Sequence, residues 1–132
     1  MNERQPATKP AEWRLSSAFG FAFRGLVFLL RSQANARIHL LATVVVVVAG
    51  FVCKLSSGEW IAVVGAIGLV WTTEALNTAI ETVVDLVSPE YHVLAGRAKD
   101  IAAGAVLCAA VTAVIIGVLI FGPHLLALFR SK

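Results

Sequence analysis

The polar and apolar positions of this chain divide it into long blocks. Residues 1–11 are polar, with Pro6 and Pro10, and read as a flexible tail. Over residues 12–33, Phe19, Phe23, Leu26 and Leu30 recur at spacings of four, three and four, which puts them on one helical face. Arg14, Ser17, Arg24 and Arg31 gather on the other side, interrupted by Phe28, so the segment predicts a basic amphipathic helix suited to a membrane surface.

Residues 34–53 follow as an apolar run whose centre, Val44 to Val48, would also suit a buried strand; length and surroundings favour a membrane-spanning helix. Lys54 and Ser56-Ser57-Gly58 end it. A second span covers 60–87, from Trp60 to the stop at Ser88-Pro89. A third, 101–121, carries no charge and stops at Gly122-Pro123. Its Gly104, Cys108 and Thr112, four apart, predict a narrow face for helix contact, and Gly65 and Gly68 of the second span read as packing positions. The pattern predicts one all-α integral membrane domain over residues 1–132, with three spans and an N-terminal surface helix.

Composition agrees: 58% of residues are apolar and 14% charged, against about half and a quarter in soluble domains. No cleavable leader is expected in the first thirty residues. Cys53 and Cys108 lack metal-like spacing and read as small packing residues. The net charge of +3 makes no case for nucleic acid. Its distribution carries more information. Eight of the eleven Lys and Arg residues fall before residue 38 or in the loop holding Arg97 and Lys99, which predicts a cytoplasmic N-terminus and an external C-terminus. Arg24 and Arg31 suit anionic headgroups, and Arg97 the positive-inside bias.

The second span departs from an apolar pattern in its lower half. Glu74, Asn77, Glu81 and Asp85 are spaced three, four and four, so they share a stripe with Thr78 and, more loosely, Thr82. Carboxylates in a membrane helix are costly and usually functional. With Trp60 at the outer interface, Glu74 lies roughly 21 Å down the helix and Glu81 roughly 32 Å, beside a hydrocarbon core about 30 Å thick. Glu74 then falls at the depth of lipid hydroxyls, where a base can act on lipid. Glu81 falls at the water boundary, where a carboxylate can hold Mg²⁺. The following loop adds Arg97 and Lys99. Metal, cationic clamp and base together are what phosphoryl transfer needs, although no glycine-rich phosphate loop is present. The alternatives are structural: Glu74 and Glu81 as glue between helices, Asn77 as an interhelical bond, Asp85 as a cap or a partner for a loop cation, and His39 as an interfacial residue.

The run Glu74-Ala75-Leu76-Asn77-Thr78-Ala79-Ile80-Glu81, with Val84-Asp85, Glu90-Tyr91-His92 and Gly96-Arg97-Ala98-Lys99-Asp100, resembles the prokaryotic diacylglycerol kinase family, which includes the undecaprenol kinases. Asn35-Ala36-Arg37-Ile38-His39 extends the likeness upstream. The resemblance implies a homotrimer in the bacterial inner membrane with sites between subunits, ATP as donor and Mg²⁺ as cofactor. It implies Glu74 as catalytic base, Asn77 as the residue ordering the site, and Glu81 as ligand to metal and nucleotide. Arg14, Glu90, Tyr91, His92, Lys99 and Asp100 match nucleotide contacts. Gln33 stands where the diacylglycerol branch has a second metal-binding glutamate; an amide oxygen can ligate Mg²⁺ but brings no charge. The implied acceptor is diacylglycerol, giving phosphatidic acid, with undecaprenol, giving undecaprenyl phosphate, as the alternative. A non-catalytic membrane scaffold is a third reading, and Gln33 is the feature that favours it.

Overall fold

The computed structural model describes residues 15–130. Four helices follow in order: α1, Leu15–Ser32; α2, Ala34–Val52; α3, Ser57–Val87; and α4, Val93–Arg130. Three of them, over Ala34–Val52, Ser57–Val87 and Val93–Ala127, are long and apolar enough to cross a membrane. The valine run of α2 is therefore helical; in lipid a helix satisfies every backbone group within one segment, which a lone strand cannot do.

Each junction has a local cause. Gln33 is the single residue between α1 and α2, with extended backbone at φ −109° and ψ 122°. At the end of α2, Lys54 adopts φ 54°. The Lys54 N–H donates to the Phe51 carbonyl at 3.2 Å and the Leu55 N–H to the Gly50 carbonyl at 3.1 Å. This is a Schellman closure with lysine in the left-handed place that glycine usually takes. Ser56 then caps α3 in a capping box: its hydroxyl accepts the Glu59 N–H, and the Glu59 carboxylate accepts the Ser56 N–H. That places the start of α3 at Ser57, three residues before the expected Trp60.

The fourth helix is longer than expected at both ends. His92 caps its start: the ring Nδ1 accepts the Leu94 N–H at 3.2 Å, and the carbonyl accepts the Gly96 N–H. Residues 93–100, expected as loop, are thus helical. At the far end, Pro123 lies inside the helix. It withdraws one N–H from the Leu119 carbonyl, and the apolar residues beyond it continue the helix to Arg130.

The core is narrow and runs along α3. Val63, Ala66, Val70, Glu74 and Asn77 are all buried and lie at spacings of three or four, so the polar stripe continues the apolar one down a single face. The most extensive contact of α3 is with α4, which buries Ala102 and Ala109. Within one copy this contact does not run through the expected face: Cys108 and Thr112 are exposed, and no atom of another helix lies within 4 Å of where a Cβ would stand on Gly65, Gly68 or Gly104. Period alone finds the faces of a helix without choosing which one meets a neighbour. Among the described side chains of α1 only Leu29 is buried, while Phe19, Phe21 and Phe23 stand exposed.

Candidate functional site

The lower half of α3 faces the start of α2 and the middle of α4 across a cleft of ≈ 320 Å³. Glu74, Asn77 and Glu81 line one wall, Asn35, Ile38 and His39 of α2 another. The wall from α4 is wholly apolar: Ala103, Val106, Leu107 and Ala110. The cleft therefore has one polar edge and one suited to hydrocarbon.

Glu74 is 1% exposed, the most completely buried large side chain among the described residues. Its Oε2 accepts no hydrogen bond. His39 Nε2 lies 4.0 Å from this oxygen. A buried carboxylate oxygen without a donor is costly, and such groups mark functional sites. Above this point α2 is tied to α3: the Trp71 indole N–H donates to Thr43 Oγ1 at 3.1 Å, and the Thr43 hydroxyl donates to the His39 carbonyl at 2.7 Å.

One turn below Asn77, Glu81 is gripped by two amides. Asn77 Nδ2 donates to Oε1 at 3.1 Å, and Gln33 Nε2 donates to Oε2 at 3.4 Å. Asn77 Oδ1 remains buried without a partner. Gln33, Asn77 and Glu81 are thus brought together although Gln33 lies 48 residues before Glu81. Among the described residues no three His, Cys, Asp or Glu side chains converge as a metal cluster. Any cation here would rely on the Glu81 carboxylate with amide oxygens, a hard-oxygen set of the kind Mg²⁺ takes.

A second hollow, ≈ 240 Å³, sits at the turn from α3 to α4 and is lined by Asp85, Glu90, Tyr91, His92, Gly96 and Lys99 among others. Lys99 Nζ contacts Asp85 Oδ1 at 2.5 Å. Tyr91 is 90% exposed. Asp100 is exposed and lines neither hollow. Arg14 lies outside the described residues. The residues expected at the site therefore form two groups, with Glu74, Asn77, Glu81 and Gln33 in one and Asp85, Glu90, Tyr91, His92 and Lys99 in the other.

Residues 20–121 match the sequence pattern of a family described as Prokaryotic diacylglycerol kinase. The chain belongs to that family. It is 44% identical over 112 residues to the undecaprenol kinase of Bacillus subtilis, covering 85% of this chain and 91% of the relative. It is 39% identical to the diacylglycerol kinase of a Synechocystis species, covering 93% and 78%. It is 34% identical to the diacylglycerol kinase of Escherichia coli, covering 84% and 91%. The family is one of membrane lipid kinases, so the class of chemistry expected from the carboxylate stripe is the class to which this chain belongs.

Two polar residues of the cleft, Asn35 and His39, have no assigned role in the sequence pattern: Asn35 stands there only within a motif, and His39 is open between interfacial and functional roles. Their signal is that they are polar and four apart at the start of the first span, so they share a face.

Proposed function

We propose that this chain transfers the γ-phosphoryl group of ATP to the hydroxyl of diacylglycerol, at the cytoplasmic face of a bacterial inner membrane. The observation that carries the reading is Glu74: a buried carboxylate with an unpartnered Oε2 on the wall of a cleft whose opposite wall is hydrocarbon-like. The lipid hydroxyl gives its proton to Glu74 as its oxygen bonds to the γ-phosphorus. The bond from that phosphorus to the β-phosphate oxygen breaks, and ADP leaves with the electron pair. A positioned base of this kind contributes about 10²–10⁴-fold.

Glu81 is the proposed ligand for Mg²⁺, with Gln33 and Asn77 able to present amide oxygens. When bound with the nucleotide, the ion offsets charge on the phosphate oxygens. Asn77 holds the Glu81 carboxylate in place. Lys99 meets the phosphates, and Glu90, Tyr91, His92 and Asp100 the nucleotide; Arg14 is assigned the same role. A homotrimer is part of the proposal. One copy leaves Leu107, Val111, Val114 and Val118 of α4 exposed, and neighbouring copies and lipid would cover them. The distribution of Lys and Arg supports a cytoplasmic N-terminus and an external C-terminus.

Undecaprenol is the second acceptor reading, favoured by the 44% identity to an undecaprenol kinase. The test is a side-by-side assay of purified protein with MgATP and each lipid in matched micelles. Faster phosphorylation of diacylglycerol supports the first reading, and faster phosphorylation of undecaprenol the second. No product from either lipid, with no MgATP binding, leaves the scaffold.

A further inference from the structure

After each transfer Glu74 would hold the proton of the lipid hydroxyl. Its side chain is only 2% exposed and its Oε2 is buried, so that oxygen has almost no contact with water. Turnover requires the proton to leave, because a neutral carboxylic acid cannot accept the next one. Catalytic distances in ligand-free structures are often long and close when substrate binds.

We infer that His39 is the proton-carrying partner of Glu74, taking the proton from the buried carboxyl and releasing it to water in the cleft. Three observations support this. His39 Nε2 lies 4.0 Å from Glu74 Oε2, the oxygen that lacks a hydrogen-bond partner. The His39 side chain is 19% exposed and lines the cleft, so it stands between the buried acid and the open space. Its backbone is pinned by Thr43, which is itself held by Trp71 one turn above Glu74, so α2 and α3 keep the two side chains facing one another.

The step balances without a further reactant. The Nε2 lone pair of neutral His39 bonds the proton, Glu74 returns to carboxylate, and the imidazolium then gives the proton to water. The titratable groups facing His39 among the described residues are Glu74 and, farther along the same wall, Glu81, both from α3. From α4 it meets only apolar residues, and on its other side it borders a hollow of Ala42, Thr43, Val46, Ile67 and Val70. The inference rests on the proposed lipid kinase activity but not on which lipid is the acceptor.

The test begins with wild-type protein in nanodiscs, MgATP and both lipids; the better acceptor is then used throughout. His39→Gln keeps an amide N–H near Glu74 but has no nitrogen that accepts a proton, and His39→Ala leaves room for free imidazole. The expected result is a fall in kcat of roughly 10- to 100-fold for both variants. KM for ATP should be unchanged, and added imidazole should restore much of the rate to His39→Ala. Wild-type kcat in His39→Gln overturns the inference. So does a loss that imidazole leaves untouched or that falls on KM for ATP, since that marks a role in holding the helices. A wild type inactive on both lipids overturns the kinase reading itself, and this inference with it.

Discussion

Lys99 Nζ stands 2.5 Å from Asp85 Oδ1, bridging the turn between α3 and α4. The pair joins the α4 cation assigned to phosphate with the lowest carboxylate of the stripe. Both side chains are substantially exposed, at 37% and 66%. Exposed pairs contribute ~0–1 kcal/mol, so Asp85→Asn should leave thermal stability nearly unchanged. Lys99→Ala should instead raise KM for ATP on the order of 10-fold, as expected for a lost charge-assisted contact of about 1.5 kcal/mol. Unfolding curves and initial rates on the two variants check this; a large stability loss in Asp85→Asn would show the pair to be structural.

Glu74→Gln removes the proposed base while keeping its shape. Turnover should fall by about 10²–10⁴-fold. Thermal stability should be equal or higher, because a buried carboxylate without a partner costs more than an amide. Single-turnover rates and detergent melting curves separate the two effects. Wild-type turnover in this variant would remove Glu74 from the mechanism.

Gly50→Ala tests the closed end of the α2–α3 hairpin. A Cβ on Gly50 would stand 2.7 Å from Trp60 Cη2, a rigid ring that also packs on Phe51 with centroids 5.0 Å apart. The Trp60 ring must shift to admit the methyl group, so the variant should lose about 1–3 kcal/mol. Trp60→Phe should recover part of that loss in the double variant, and melting of all three proteins measures the coupling.

Lys54→Gly addresses the left-handed residue that closes α2. A non-glycine residue there costs roughly 1–2 kcal/mol against glycine. The two backbone bonds of the closure, from Lys54 and Leu55, do not involve the side chain. A rise in melting temperature with unchanged activity is expected; a fall would show that the lysine charge stabilises this end.

Much of this architecture is legible in the sequence because its causes are local. The stop at Ser88-Pro89 and the return after Lys54 stand where turn chemistry puts them, and the stripe from Glu74 to Glu81 follows from helical period. Asp85 does pair with Lys99, a cation of the expected loop that the structure places in the first turns of α4. The start of α4 is not legible in the sequence because its cap is a histidine, which is not an ordinary helix signal. Its end is not legible because Pro123 stops a helix less firmly where the chain remains largely apolar on both sides.

By itself, the sequence determined that the chain is helical and membrane-spanning, and which face of α3 carries its carboxylates. Apolar length, helical period and caps act within a few residues, so they can be read along the chain. Only the tertiary structure decided that Gln33 reaches Glu81, that His39 faces the bare oxygen of Glu74, and that α4 packs through Ala102 and Ala109. Those pairings depend on how helices cross and turn about their axes, which close packing between distant segments settles and local pattern does not.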